Sequence, residues 1–321
     1  MRFAEDAPRA AINENQRKIF APSGIVRCES PGAGHLMSRI AYVNGRYVPH
    51  GAALVHVEDR GYQFADGVYE VCAVREGRLV DERRHLQRLV RSLTELRIVM
   101  PMPPAALVVV LRETVRRNRV RGGLVYLQVT RGVARRDFLF PGADLKPSVV
   151  VTARHLDQTK LERTAAEGIA VVTMPDNRWE RVDIKSVSLL PNVLAKQAAK
   201  DAGAREAWLV DKDGFVTEGA SSNAWIVTGD GKLVTRPADH GILRGVTRSV
   251  VLDLIAACNL GLEERKFSVA EAYGAREAFV TSANQIVMPV VSIDGRPVGN
   301  GAPGLVAAAL RRDFFACAEI S

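Results

Sequence analysis

Short turns at Asn44-Gly45, Glu76-Gly77, Asp213-Gly214 and Gly229-Asp230-Gly231 each stand between brief apolar runs. Turns of this composition tolerate positive φ and close two strands into a hairpin, so much of the sheet structure must be antiparallel. In the first half the runs predict strands at 40–43, 46–48, 67–75, 78–80, 124–130 and 148–153. Between them Leu86, Leu89, Val90 and Leu93 predict a helix over 83–96, and Leu107, Val110, Leu111 and Val115 predict another over 104–117.

The second half continues with strands at 169–174, 207–210, 215–217, 224–227 and 277–281, a helix over 247–258 and a C-terminal helix. A further helix begins at Pro191 and stops at Gly203, with Val193, Leu194, Ala198 and Ala199 as its apolar positions. Strands and helices mix without regular β-α-β alternation, which predicts an α+β (mixed α/β) protein of two domains rather than a doubly wound sheet. The polar passage 154–163 marks the boundary, giving a smaller N-terminal domain over 37–156 and a larger C-terminal one over 157–321. Residues 1–36 sustain no strand or helix period and are expected to be a disordered extension or the product of an upstream start codon.

With 47% apolar and 25% charged residues among 321, the chain can bury two sizeable cores. Its net charge of +8 arises from signs that alternate along most segments, so no nucleic-acid partner is expected. Cys28, Cys72, Cys258 and Cys317 form no C-x-x-C pair and the six histidines are dispersed, which argues against a metal site. No apolar run reaches the roughly 18 residues of a membrane span, and the N-terminus has no apolar signal-like stretch. The expected location is the cytoplasm.

Three lysines follow one another in RVDIKSVSLLPNVLAKQAAK, residues 181–200. Lys196 and Lys200 are four apart on the predicted helix and share a face, which reads as solvated. Lys185 precedes the helix, among Val182, Ile184 and Val187; an extended segment would set Asp183, Lys185 and Val187 on one side. Two readings are open there. The lysine snorkels or pairs with Asp183, or partial desolvation favours the neutral amine that a Schiff-base nucleophile must supply. The stretch Gly241–Arg248 runs into an apolar helical period and offers helix-start amides to a phosphate, or simply caps a helix. VTEGASSN at 216–223 places a carboxylate, two serines and an asparagine in one bend, and EDRGYQFADGVYEV at 58–71 carries two tyrosines beside glycines.

The order of these blocks is more informative than any one of them. EDRGYQFADGVYEV, HLQRL at 85–89, VTRG at 129–132, DIKSVSLLPNVLAKQ at 183–197, VTEGASSN, ILRGVTR at 242–248 and FVTSA at 279–283 resemble the class IV (fold type IV) pyridoxal-phosphate aminotransferases, most closely the bacterial D-amino-acid enzymes. The resemblance implies a homodimer of two-domain subunits with pyridoxal 5′-phosphate between the domains. It implies that Lys185 is the Schiff-base lysine, Glu218 the partner of the pyridine nitrogen, and Arg88, Val246 and Thr247 the phosphate cup. Leu243 would pack on the ring, Ser221 and Ser282 would be polar neighbours of cofactor and substrate, and Tyr69 and Arg136 would hold the substrate α-carboxylate. Two positions depart from the pattern: Phe138 stands where a histidine donor is expected, and Ala283 where a threonine is.

The activity so implied is transamination between a D-amino acid and a 2-oxo acid. The alternatives within the fold are a branched-chain L-amino-acid aminotransferase, an (R)-amine transaminase and an aminodeoxychorismate lyase. A basic, non-catalytic binding protein is the alternative from another class.

Overall fold

The computed structural model describes residues 39–142 and 144–321, so the extension predicted over 1–36 lies outside the described residues. The chain first forms β1 (Ile40–Val43), β2 (Arg46–Pro49), α1 (Arg60–Phe64), β3 (Gly67–Arg75), β4 (Arg78–Leu79), α2 (Glu82–Glu95), α3 (Pro104–Arg117), β5 (Gly122–Thr130) and β6 (Ser148–His155). These strands make a six-stranded sheet in the order β2-β1-β6-β5-β3-β4. Every pairing in it is antiparallel; the hairpin turns account for β1 with β2 and β3 with β4, and the other three pairings join strands distant in the chain or linked by a longer connection.

Alternation gives this sheet two different faces. Cys72, Val74, Val125, Leu127, Val129, Val149 and Val151 pack with Leu89 and Leu93 of α2 and Leu107, Leu111 and Val115 of α3 in one core. Each of the valines and leucines among them contributes about 1.5–3 kcal/mol by leaving water. Tyr69, Val71, Tyr126 and Gln128 fall on the opposite face and remain half-buried.

The rest of the chain forms α4 (Gln158–Glu167), β7 (Ile169–Pro175), α5 (Leu190–Asp201), β8 (Glu206–Val210), β9 (Val216–Gly219), β10 (Asn223–Val227) and β11 (Leu233–Thr235). It ends with α6 (Val246–Ala257), β12 (Leu262–Glu264), α7 (Val269–Tyr273), β13 (Glu277–Ser282), β14 (Ile286–Ile293), β15 (Arg296–Pro297) and α8 (Leu305–Cys317). Its strands form a nine-stranded mixed sheet in the order β12-β11-β10-β13-β14-β7-β8-β9, with β15 on β14. One face carries Trp208, Ile226, Phe267 and Val280, and the other packs Trp225, Val227 and Phe279 against α6 and α8. The central strand β10 is therefore buried at all five positions.

Several local expectations are corrected. Residues 181–188 are not extended: Ile184 N–H bonds Arg181 C=O at 3.2 Å and Ser186 N–H bonds Ile184 C=O at 2.8 Å, because the segment must turn to enter α5. The buried positions of α5 are Ala195 and Ala199, while Val193 and Leu194 are exposed, so the helix is rotated from its expected phase. Lys196 does not share the solvated face of Lys200. Its ammonium lies 3.2 Å from the carboxylate of Glu206, a buried anion that requires a cation. The polar passage 154–163 holds the end of β6 and the first residues of α4.

Candidate active site

The segment that carries Lys185 is fastened to the end of β3. Tyr69 N–H bonds Lys185 C=O at 3.0 Å, Val187 N–H bonds Gly67 C=O at 3.0 Å, and Ser186 bridges Val68. This attachment aims Lys185 across the open face of the six-stranded sheet, with Nζ 4.2 Å from the centre of the Tyr69 ring. Of the two readings left open for Lys185, pairing with Asp183 is excluded. Asp183 instead accepts from Arg181 Nε at 3.0 Å, from Arg91 Nη2 at 2.5 Å, and stands 3.3 Å from His240 Nδ1. Burial raises the Asp183 pKa, and the two guanidiniums and His240 outweigh it, holding the carboxyl well below the usual range.

Lys185 and Tyr69 border a cavity of about 280 Å³ whose far wall holds Glu218. Glu218 is 4% exposed, on the fully buried β9. It accepts from Asn223 Nδ2 at 2.8 Å, from Leu243 N–H at 3.2 Å and from Arg178 Nη1 at 2.5 Å. Burial pushes its pKa up, against Arg178, which is itself shared with Asp176 at 2.8 Å. Two carboxylates around one guanidinium leave one net negative charge in a dry wall, a place that calls for a further cation.

The third wall is the start of α6. Its N-cap is Gly245, which has no side chain to bond the first amides, and the Val246 and Thr247 N–H groups have no acceptor among the described residues. Gly245 is required by space: a Cβ there would come within 2.1 Å of Asn223 Oδ1, which is fixed by the bonds from Nδ2 to Glu218 and to Leu243 C=O. Arg88 reaches the same corner from α2, its Nη1 on Arg244 C=O at 3.1 Å. The other side of its fork is held by Glu70 at 2.8 and 2.7 Å, and Glu70 also contacts His85 Nδ1 at 2.8 Å. Burial opposes the charge on Glu70, yet Arg88 and His85 outweigh it and bring the pKa from 4.5 to about 2.

The remaining expected residues divide. Leu243, Ser221 and Ser282 all border the cavity. Ser221 Oγ donates to Glu206 at 2.7 Å and Ser282 Oγ to Asn284 at 2.7 Å, so each presents mainly acceptor capacity. Ala283, with no hydroxyl to offer, lies beside Ser282 in the same lining. Arg136 does not join them: it lies 4.5 Å over the Phe64 ring, and neither it nor Phe138 borders the cavity in this chain.

Sequence reasoning missed Arg178, Asn223, Glu70 and His85 as parts of one polar frame. Glu70 had a signal, a lone acid on the helix-facing side of an apolar strand, and His85 sits three residues before Arg88. Arg178 had only its neighbour Asp176, since the second carboxylate, Glu218, comes within reach only once β7, β8 and β9 are assembled.

Among the described residues no cluster of three His, Cys, Asp or Glu could hold a metal, and no helix is long and apolar enough to cross a membrane. A family model described as amino-transferase class IV matches residues 67–293. The chain is 43% identical to a D-alanine aminotransferase of Bacillus licheniformis over 261 residues, covering 81% of this chain and 90% of that one. It is 37% identical to the D-alanine aminotransferase of Staphylococcus haemolyticus over 273 residues, covering 85% and 95%. The branched-chain amino acid aminotransferase of Escherichia coli superposes with a TM-score of 0.80 at 24% identity, over 87% of this chain and 94% of that one, a likeness of fold. A second branched-chain amino acid aminotransferase, solved with pyridoxamine 5′-phosphate, gives 0.79 at 27% identity, over 87% and 93%. The chain thus has the type IV aminotransferase fold and belongs to the amino-transferase class IV family.

Proposed function

We propose that the protein transfers an amino group from a D-amino acid to a 2-oxo acid. The observation that carries the chemistry is the convergence of Lys185, Glu218 and the uncapped start of α6 on one cavity. The D-alanine aminotransferase relatives support the choice of donor. Pyridoxal 5′-phosphate, the cofactor of the family, supplies a carbonyl that bonds amines and a ring that takes up the electron pair released at the substrate Cα.

The residues present fit that group. The unpaired amides of Val246 and Thr247, the Thr247 hydroxyl and the remaining Arg88 hydrogens suit a phosphate. The net negative charge around Glu218 suits a protonated ring nitrogen, and Leu243 lies beside Glu218 to face the ring. Lys185 Nζ would supply the amine that holds the group's carbonyl and, when free of it, would move the proton from the substrate Cα to the carbonyl carbon. Tyr69, under that amine, and Arg136 are assigned to the α-carboxylate, with Ser221 and Ser282 as acceptors nearby.

The loop bearing Arg136 exposes Phe138, Leu139 and Phe140, at 85%, 76% and 52%, which supports a homodimer in which a second copy covers that loop. We assign the smaller domain to residues 37–156 and the larger to 157–321, and place the protein in the cytoplasm.

The purified enzyme should show a Schiff-base absorbance band that shifts on adding D-alanine, and sedimentation should give a dimer. A second reading, branched-chain L-amino-acid transamination, draws on the likeness to the branched-chain enzyme solved with pyridoxamine 5′-phosphate. A half-reaction panel of D-alanine, D-glutamate, L-leucine and a simple chiral amine separates the two. Turnover of L-leucine without D-alanine overturns the first reading.

A further inference from the structure

The cavity lining contains four cations: Arg88, Arg154, Arg178 and Lys185. Arg88 is neutralised by Glu70, and Arg178 by Asp176 and Glu218. Lys185 is the reactive amine of the proposed chemistry. Arg154 is different. Among the described residues its side chain has no hydrogen bond and no carboxylate partner, although it borders the same cavity.

Its placement follows from strand register. On the open face of the six-stranded sheet, Tyr69 of β3 pairs through Gln128 of β5 to Val150 of β6, and Ala73 pairs through Leu124 to Arg154. Residues opposite one another share a face, so Arg154 stands on the face that Lys185 crosses. It does not stand beneath the lysine. Its Cα is two strands from β3, about 10 Å across, and four residues beyond the Tyr69 row, about 13 Å along. An unpaired guanidinium at the rim of a chamber, set back from the reacting amine, suits the far carboxylate of a substrate better than the one bonded to the reacting carbon.

We infer that Arg154 is a specificity-determining residue that receives the side-chain carboxylate of a dicarboxylic substrate, such as glutamate or 2-oxoglutarate. This rests on the transaminase reading above and adds to it a reason for favouring five-carbon dicarboxylic partners over alanine or pyruvate. Carboxylate recognition by arginine is planar and bidentate, so lysine should replace it only in part.

The test compares holoenzyme and the variants Arg154→Leu and Arg154→Lys in half-reactions with D-alanine and D-glutamate. Inhibition by butyrate and by glutarate, which do not react, is measured alongside. Arg154→Leu should lower kcat/KM for D-glutamate by about 10–100-fold, mainly through KM, and weaken glutarate similarly, the value of one charge-assisted contact. D-Alanine and butyrate should stay within about 3-fold, and Arg154→Lys should recover part of the loss. Equal losses for D-alanine and D-glutamate would assign Arg154 to the α-carboxylate or to folding, and no loss for either would make it a bystander; both overturn the inference. If the wild-type enzyme turns over only L-amino acids, the D-amino-acid reading fails instead, and the comparison of L-glutamate with L-leucine tests Arg154 on its own.

Discussion

The ammonium of Lys185 lies 4.2 Å from the centre of the Tyr69 ring, and the same two residues are joined by a backbone bond of 3.0 Å from Tyr69 N–H to Lys185 C=O. The lysine is thus positioned by the end of β3 as much as by its own loop. Lys185→Ala should remove the Schiff-base band and lower the half-reaction rate by about 10³-fold or more, since one group supplies both the bond and the proton transfer. Tyr69→Phe keeps the ring and should retain the band while raising KM for the amino donor. Full turnover by Lys185→Ala would refute the assignment.

Glu218 can be tested with an isosteric neutral side chain. In Glu218→Gln the bond from Leu243 N–H still has an acceptor, but the net negative charge shared with Asp176 and Arg178 is gone. The rate of the half-reaction should fall by about 10²-fold, with cofactor still retained on dialysis. Stopped-flow absorbance after mixing with D-alanine reads the first quantity, and the absorbance of the dialysed protein the second.

Acid should attack the frame that holds Arg88. Glu70 has a pKa of about 2 in the folded protein against an ordinary 4.5. Between those values the unfolded chain binds a proton that the folded one does not, so stability is present above pH 4.5 and is lost as pH falls toward 2. The loss amounts to about 3 kcal/mol. Denaturant titrations across that window should show it, and in Glu70→Gln the slope against pH should be shallower by about one proton.

Asp183 ties α2, the lysine segment and the stretch before α6 together through Arg91, Arg181 and His240. Asp183→Asn keeps the shape and removes the charge. It should cost about 1–3 kcal/mol, read as a lower Tm, and should reduce kcat because Lys185 is two residues away. An unchanged Tm would show that Arg91, Arg181 and His240 are held by other means.

Gly245→Ala asks whether the approach of α6 to Asn223 matters. A Cβ would sit 2.1 Å from Asn223 Oδ1, so either the helix start or the asparagine must move. Titration of the apoenzyme with pyridoxal 5′-phosphate should show affinity weakened by about 10-fold.

Local chemistry written in the chain was enough for most elements. The hairpin at Asn44-Gly45, the apolar spacing of α2 and α3 and the strand runs of β3, β5 and β7 follow from turn preferences and periodicity, which act over a few residues. The ordered motifs likewise named Lys185, Glu218, Arg88, Val246 and Thr247, which border the cavity, but not Arg178, and they added Arg136, which does not border it in this chain; the family followed from them. What the chain alone left open depends on segments far apart in sequence. Lys185 and Asp183 are two residues apart, but the partners of Asp183 come from α2 and from residue 240, so the expected pairing never forms. The apolar look of Val193 and Leu194 did not decide which side of α5 is buried, because that is set by contact with β8 and the buried Glu206. In the sequence Arg154 is one more arginine near a strand end. Only the register of β5 on β6 turns it toward the cavity, and only the assembly of β7, β8 and β9 adds Glu218 to the nearby Asp176 around Arg178, while Arg154 keeps no carboxylate among the described residues. Pattern in the sequence reports what each residue prefers locally; the partner it receives is a property of the assembled sheets.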